Sequence, residues 1–91
     1  MKINEVVTVV AVSGAEYVGK FRKETEDYFV IGEPHIVSAG QNEISFMPTV
    51  AMTGAPHIGE ATFYKTGVLL VVRTAEEVSK QYTTSVSGIV L

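Results

Sequence analysis

Apolar segments separated by short polar turns dominate the first half of the chain. The segment 6–12 is β-branched at every position except Ala11, which is typical of a strand buried on both faces or built into a barrel wall. Apolar and polar residues alternate over 17–24, and this predicts a half-exposed antiparallel strand. Strand composition resumes over 28–31 and 35–37. The first half therefore predicts an antiparallel sheet.

The second half adds further strands. Residues 44–47 and 49–52 are an extended pair interrupted by Pro48, which suits an edge strand or a bulge because proline cannot donate to a sheet ladder. The most apolar segment, 67–72, is β-branched at half of its positions and has the length of a strand. We expect this segment to be a strand as well.

One helix is predicted near the end of the chain. Thr74 and Glu77 have the spacing of a capping box, in which each side chain bonds to the other residue's backbone N–H. The helix is expected over 75–82, and strand composition returns over 83–91. The pattern therefore predicts a mainly β fold of about six antiparallel strands and one short helix, in a single domain that spans residues 1–91.

Two glycines lie five residues apart in the first hairpin. Gly14 falls in the turn and Gly19 in the outgoing strand. Glycine inside a strand costs about 0.5–1 kcal/mol relative to alanine, so it usually occupies a bend or a bulge. The spacing predicts a tight hairpin followed by a sharp bend in the second strand.

This glycine pattern resembles the first motif of the Sm/Lsm family, which includes the bacterial host-factor branch. In that motif an apolar strand is followed by glycine, four residues, a second glycine, one residue and a large apolar residue. Gly14, Gly19 and Phe21 fit in register, and the acidic turn 25–27 lies where the family has one. The resemblance implies a small, strongly bent antiparallel barrel whose copies form a closed ring of about five to seven subunits.

The resemblance also implies where RNA would bind. Tyr28 or Phe29 stands where the family has an RNA-contacting asparagine, and Arg73 matches the arginine of the family's second motif, Ile-Arg-Gly. Thr74 replaces the motif's glycine, the side-chain amide is absent, and the family's N-terminal helix is missing. The chain is thus similar to an atypical family member, and a phage-encoded relative is one interpretation.

The same residues have simpler structural interpretations. Phe29 can pack in the barrel core, and Arg73 can pair with Glu76 or Glu77. A basic cluster at 20–23 is followed at once by acidic residues. This favours a solvated surface whose charges compensate each other, and it argues against a track that binds phosphates.

Composition changes the picture in two ways. Apolar residues make up 46% of the chain and charged residues 19%, so part of the apolar surface is expected in a subunit interface, at the edge strands 68–72 and 86–91. The alternative is a very apolar monomer. The net charge of −3 argues against a generally basic, nucleic-acid-binding surface and leaves room only for a local patch.

Several function classes find no support in the sequence. The chain has no cysteine, and neither His35 nor His57 has a second ligand at metal-binding spacing. No nucleophile or phosphate-loop motif is present, so we expect neither an enzyme nor a cofactor. The apolar runs are too short to span a bilayer. Glu5 falls where the apolar core of a signal peptide would begin, so a cytoplasmic protein is expected.

Two functional hypotheses remain. The first is a homo-oligomeric ring that binds single-stranded RNA through Tyr28, Phe29 and Arg73. The second is a structural or assembly oligomer with the same barrel and no nucleic-acid role, for example in a phage particle. The residues imply no membrane partner.

Overall fold

Six antiparallel strands and one helix make up the part of the chain that the structure, a computed structural model, describes: residues 1–41, 43–47, 53 and 59–87. The strands are β1 (Val6–Ala11), β2 (Glu16–Glu24), β3 (Tyr28–Ala39), β4 (Ile44–Met47), β5 (Glu60–Tyr64) and β6 (Val68–Arg73). A 3-10 turn (Lys65–Gly67) joins β5 to β6, and the helix is α1 (Glu76–Ser87).

The sheet is organised around the long strand β3. Its strand order is β4-β3-β2-β1-β6, with β5 also pairing with β3. The beginning of β3, Tyr28 to Gly32, pairs with β5, whereas Ile36 to Ala39 pair with β4. β3 therefore changes partners at its middle. The mainly β, antiparallel fold with one helix is confirmed, and the sheet is not closed.

The hairpin prediction for Gly14 is confirmed, whereas the bulges near Gly19 lie at other residues. Gly14 lies in the β1–β2 hairpin with a positive φ of 95°, and its N–H donates to the Ala11 carbonyl at 2.9 Å. Between Val18 and Lys20 the register of β2 with β3 shifts so that Gly19 alone lies opposite Glu33 and Pro34, and the extra residue there belongs to β3. The extra residue of β2 is Arg22, three positions further on. A bulge bends the strand that carries it and increases the local twist.

The core lies on one face of the sheet. Val7, Val9, Phe21 and Ile31 are buried together there, and five partly buried residues pack against them: Tyr17, Phe29, Phe63, Val68 and Val71. Phe29 thus contributes to the core, as its simpler interpretation predicted. On the opposite face Val18 and His35 are buried, and the fully buried Tyr82 of α1 packs its ring edge to face against His35.

Three expectations about elements are corrected. The two short strands predicted over 28–31 and 35–37 are one continuous strand. The helix continues to Ser87, so residues 83–87 are helical and do not form a strand. Its first residue is Glu76, and the Thr74 hydroxyl bonds to the Thr8 hydroxyl at 2.8 Å instead of forming the capping box.

Segments 49–52 and 88–91 lie outside the described residues, as does Pro48. Within the described part of the chain, α1 is too short and too polar to cross a membrane.

Candidate functional site

An apolar, unpaired strand edge is the most prominent surface feature. Among the described strands β6 pairs only with β1, so its other edge exposes backbone N–H and C=O groups. Leu69, Leu70 and Val72 are 65%, 43% and 47% exposed. Leu69 is the extra residue of a bulge between the β1 and β6 registers, which turns it outward. Such an edge readily pairs with another strand.

A second feature is an aromatic end of the sheet, formed by Tyr28, Phe29, Tyr64 and Lys65. The β2–β3 turn and the 3-10 turn meet there, because the Lys65 N–H donates to the Asp27 carbonyl at 2.9 Å. The rings of Tyr28 and Tyr64 meet edge to face with centroids 5.8 Å apart, and Tyr64 is 61% exposed. An exposed aromatic ring of this kind offers a stacking surface for a base.

The charges at the aromatic end are mostly negative. The Lys65 ammonium lies 5.2 Å from the Phe29 ring centroid and 2.9 Å from a Glu24 carboxylate oxygen. Glu26 and Asp27 are exposed in the adjacent turn. The lysine is therefore surrounded by carboxylates that oppose the approach of a polyanion at low salt.

Arg73 lies away from the aromatic end. It is the last residue of β6 and aligns with Val7 of β1, so β1 and β2 separate its strand from β3. Its guanidinium pairs with Glu5 at 2.7 Å, not with Glu76 or Glu77. Within one subunit Tyr28 and Phe29 are therefore neighbours at the beginning of β3, whereas Arg73 lies on a strand that does not pair with β3.

A groove of about 690 Å³ opens beside Arg73, between α1 and the start of β1. The Lys2 N–H donates to the Glu5 carboxylate at 3.0 Å, and this bond, followed by the nearby Arg73, lowers the pKa of Glu5. Glu5 therefore stays ionised at neutral pH and keeps Arg73 at the rim of the groove.

Tyr64 and Lys65 were not among the site residues predicted from the sequence. A usable pattern was present, because β5 alternates between inward Ala61 and Phe63 and outward Thr62 and Tyr64. An outward tyrosine followed by lysine at a strand end is a candidate binding pair. What the pattern lacked was the hydrogen bond between two turns that are distant in sequence, from the Lys65 N–H to the Asp27 carbonyl.

The remaining candidate groups are engaged in structural contacts. Lys20 pairs with Glu33 at 2.7 Å and Arg22 lies 3.6 Å from Glu60, which agrees with a surface whose charges compensate each other. His35 is buried beneath α1, whereas His57 lies outside the described residues. In the described ranges no three His, Asp or Glu residues group as metal ligands do.

No protein-family model and no curated protein matches the chain.

Proposed function

We propose that this chain functions as a homo-oligomeric assembly protein whose subunits join through the edge of β6. The observation that carries the proposal is the apolar character of that edge, with Leu69, Leu70 and Val72 all exposed in one subunit. A long apolar edge strand is an aggregation hazard unless another strand covers it. Pairing with a second copy covers it in a defined way and keeps the assembly homo-oligomeric.

The edge of β5 is the best partner for β6. Antiparallel pairing in which Phe63 lies opposite the partner subunit's Val71 joins the two core-facing residues. Tyr64 then lies opposite the partner's Leu70, and Thr62 opposite the partner's Val72. This contact uses a different surface on each subunit, so it is heterologous and repeats around a ring when the rotation closes.

The charges at the two edges and the number of edges covered both favour β5–β6 pairing over a two-fold β6–β6 contact. The pairing brings Glu60, at the acidic beginning of β5, to the same end as the partner's Arg73, and both side chains are more than half exposed. It also covers two edges of every subunit, whereas a two-fold β6–β6 contact leaves the outer edge of β5, the one that does not face β3, uncovered. A ring of about five to seven copies follows from the family resemblance and stays a prediction.

Disulfide cross-linking tests the interface, because the chain has no cysteine of its own. We expect the double variant Thr62→Cys, Val72→Cys to give a ladder of covalent oligomers on a non-reducing gel. Opposed antiparallel residues lie about 4.5–5.5 Å apart at Cα, which is within the range that disulfides bridge. A mixture of the two single variants should give dimers only.

The single variants also serve as controls. Val72→Cys alone should stay uncross-linked, and dimers from this variant alone would indicate a two-fold β6–β6 contact instead. Absence of the ladder in a protein that sediments as an oligomer would overturn the β5–β6 pairing. A wild-type monomer at micromolar concentration would overturn the assembly function itself.

Single-stranded RNA binding is the second candidate function, favoured by the exposed Tyr64 beside Lys65. If RNA stacks there, Tyr64→Ala should weaken the binding of oligo-U or oligo-A about tenfold, since one base–aromatic stack is worth about 1–3 kcal/mol. Lys65→Ala should weaken it as well. Titration at two salt concentrations should show a slope of about −0.7 for each phosphate contacted.

Lys80→Ala is the matched control for Lys65→Ala, because Lys80 also pairs with a glutamate, Glu76 at 3.5 Å, but lies on α1. It should leave RNA affinity unchanged. Tyr28→Ala and Arg73→Ala test the residues that the family resemblance implies. If a folded, oligomeric protein shows no measurable RNA binding, only the assembly function remains. The acidic surroundings of Lys65 favour this outcome.

A further inference from the structure

Residue 33 lies where β3 changes partners, and its backbone is unusual. Glu33 has a positive φ of 48°, in the left-handed region that non-glycine residues rarely adopt. It follows Gly32, the last residue paired with β5, and precedes Pro34. A residue in this conformation is strained and persists only where surrounding contacts stabilise it. The contacts of Glu33 are therefore informative.

Four contacts converge on this one residue. Its carbonyl accepts hydrogen bonds from the Tyr82 hydroxyl at 2.7 Å and from His35 Nδ1 at 2.8 Å. Its N–H donates to the Gly59 carbonyl at 2.8 Å, directly before β5 begins. Its carboxylate pairs with Lys20 of β2 at 2.7 Å, and this bond lowers the pKa of Glu33. Residue 33 thus connects α1, β2 and the start of β5.

Tyr82 is the main attachment of α1 to this point. It is the only fully buried side chain among the described residues of the helix, and its ring meets those of His35 and Phe46 edge to face. Burial, and then the charge of Glu33, raise the pKa of the Tyr82 hydroxyl, so this group stays protonated and keeps donating. The helix therefore bonds to the backbone of the bend itself.

We propose that α1 acts as a clamp on the bend of β3 and thereby fixes the position of the β5 edge. The clamp consists of Tyr82, Glu33 and Gly59, which form a continuous path of hydrogen bonds from the helix to the residue that directly precedes β5. Release of the Tyr82 hydrogen bond loosens the bend and lets β5 move relative to the rest of the sheet. The effect on assembly rests on the proposed function, in which β5 is one of the two joining edges.

Tyr82→Phe tests the clamp with little change in packing, since it removes only the hydroxyl. Native-state hydrogen exchange should be about threefold to tenfold faster at the Glu33 amide, in line with the usual strength of one hydrogen bond. The amides of β5 should also exchange faster. The Gly14 amide, which donates within the β1–β2 hairpin, should exchange at its wild-type rate.

Tyr17→Phe is the matched control, because it removes the hydroxyl of a tyrosine on β2 instead of α1, and it should leave exchange at Glu33 unchanged. Equal acceleration of exchange at the Glu33 and Gly14 amides would mean that Tyr82 contributes only to general stability, and it would overturn the clamp. An unchanged exchange rate at the Glu33 amide would overturn it as well.

Native mass spectrometry of Tyr82→Phe should show a broader distribution of oligomer sizes. An unchanged distribution with selective exchange at Glu33 would overturn control of assembly. A wild-type monomer would contradict the proposed function, while the clamp is still decided by exchange.

Discussion

Gly19→Val should destabilise the fold by about 3 kcal/mol, the upper end of what added side-chain bulk costs in a packed site. A Cβ at position 19 would lie 2.9 Å from the Gly32 carbonyl oxygen and 3.2 Å from Pro34 Cα, and it would also run into the Ile31 side chain. Two of these three neighbours are backbone atoms of β3, so relief requires the strands to separate. Urea unfolding followed by circular dichroism measures the change.

Gly67→Ala is the matched control for this change. A Cβ at position 67 would have no neighbour within 4 Å. Because alanine also lowers the entropy of the unfolded chain, the control should be neutral or stabilising by up to about 1 kcal/mol. Equal unfolding midpoints for the two variants would contradict the close approach of β2 and β3 at Gly19.

Tyr82→Ala should cost about 3–5 kcal/mol, as expected for truncating a large, fully buried aromatic side chain. It removes the ring packed between His35 and Phe46 and leaves the Glu33 carbonyl without one of its two donors. Because small domains are stable by only about 5–15 kcal/mol, much of the total stability is lost. Loss of helical circular dichroism and of exchange protection over 76–87 would report release of α1.

Gln81→Ala is the control, since the neighbouring Gln81 is exposed on the same helix. It should change stability by less than about 0.5 kcal/mol. A loss below about 1 kcal/mol for Tyr82→Ala would mean that α1 is attached mainly by other residues.

Periodicity alone predicted the sheet well, because local sequence determines which face of a strand is buried. The alternation over 17–24 and the β-branched run over 6–12 correspond to β2 and β1. Gly14 was predictable for the same reason, since a hairpin turn has local backbone requirements. The bulge opposite Gly19 was not, because its extra residue belongs to β3.

Long-range contacts limited the rest of the prediction. Strand-like composition over 83–91 suggested a strand, yet α1 continues because Tyr82 and the partly buried Val86 lie four residues apart and face the sheet. Similarly, two separate strands were predicted over 28–31 and 35–37, but the bend at Glu33 lets one strand continue past Pro34. The ion pair between Lys65 and Glu24 joins residues that are distant in sequence, so only the folded structure reveals it.

The three-residue 3-10 turn Lys65–Gly67 lies directly between β5 and β6. In the proposed assembly these strands are the two joining edges, so a single short turn links the incoming and outgoing contacts of every subunit. The angle between successive subunits then depends on the geometry of this turn, and closure needs about 72° for five copies or about 51° for seven. Insertions of one or two residues at Thr66 would therefore change the number of subunits in the ring before they change the fold of a subunit.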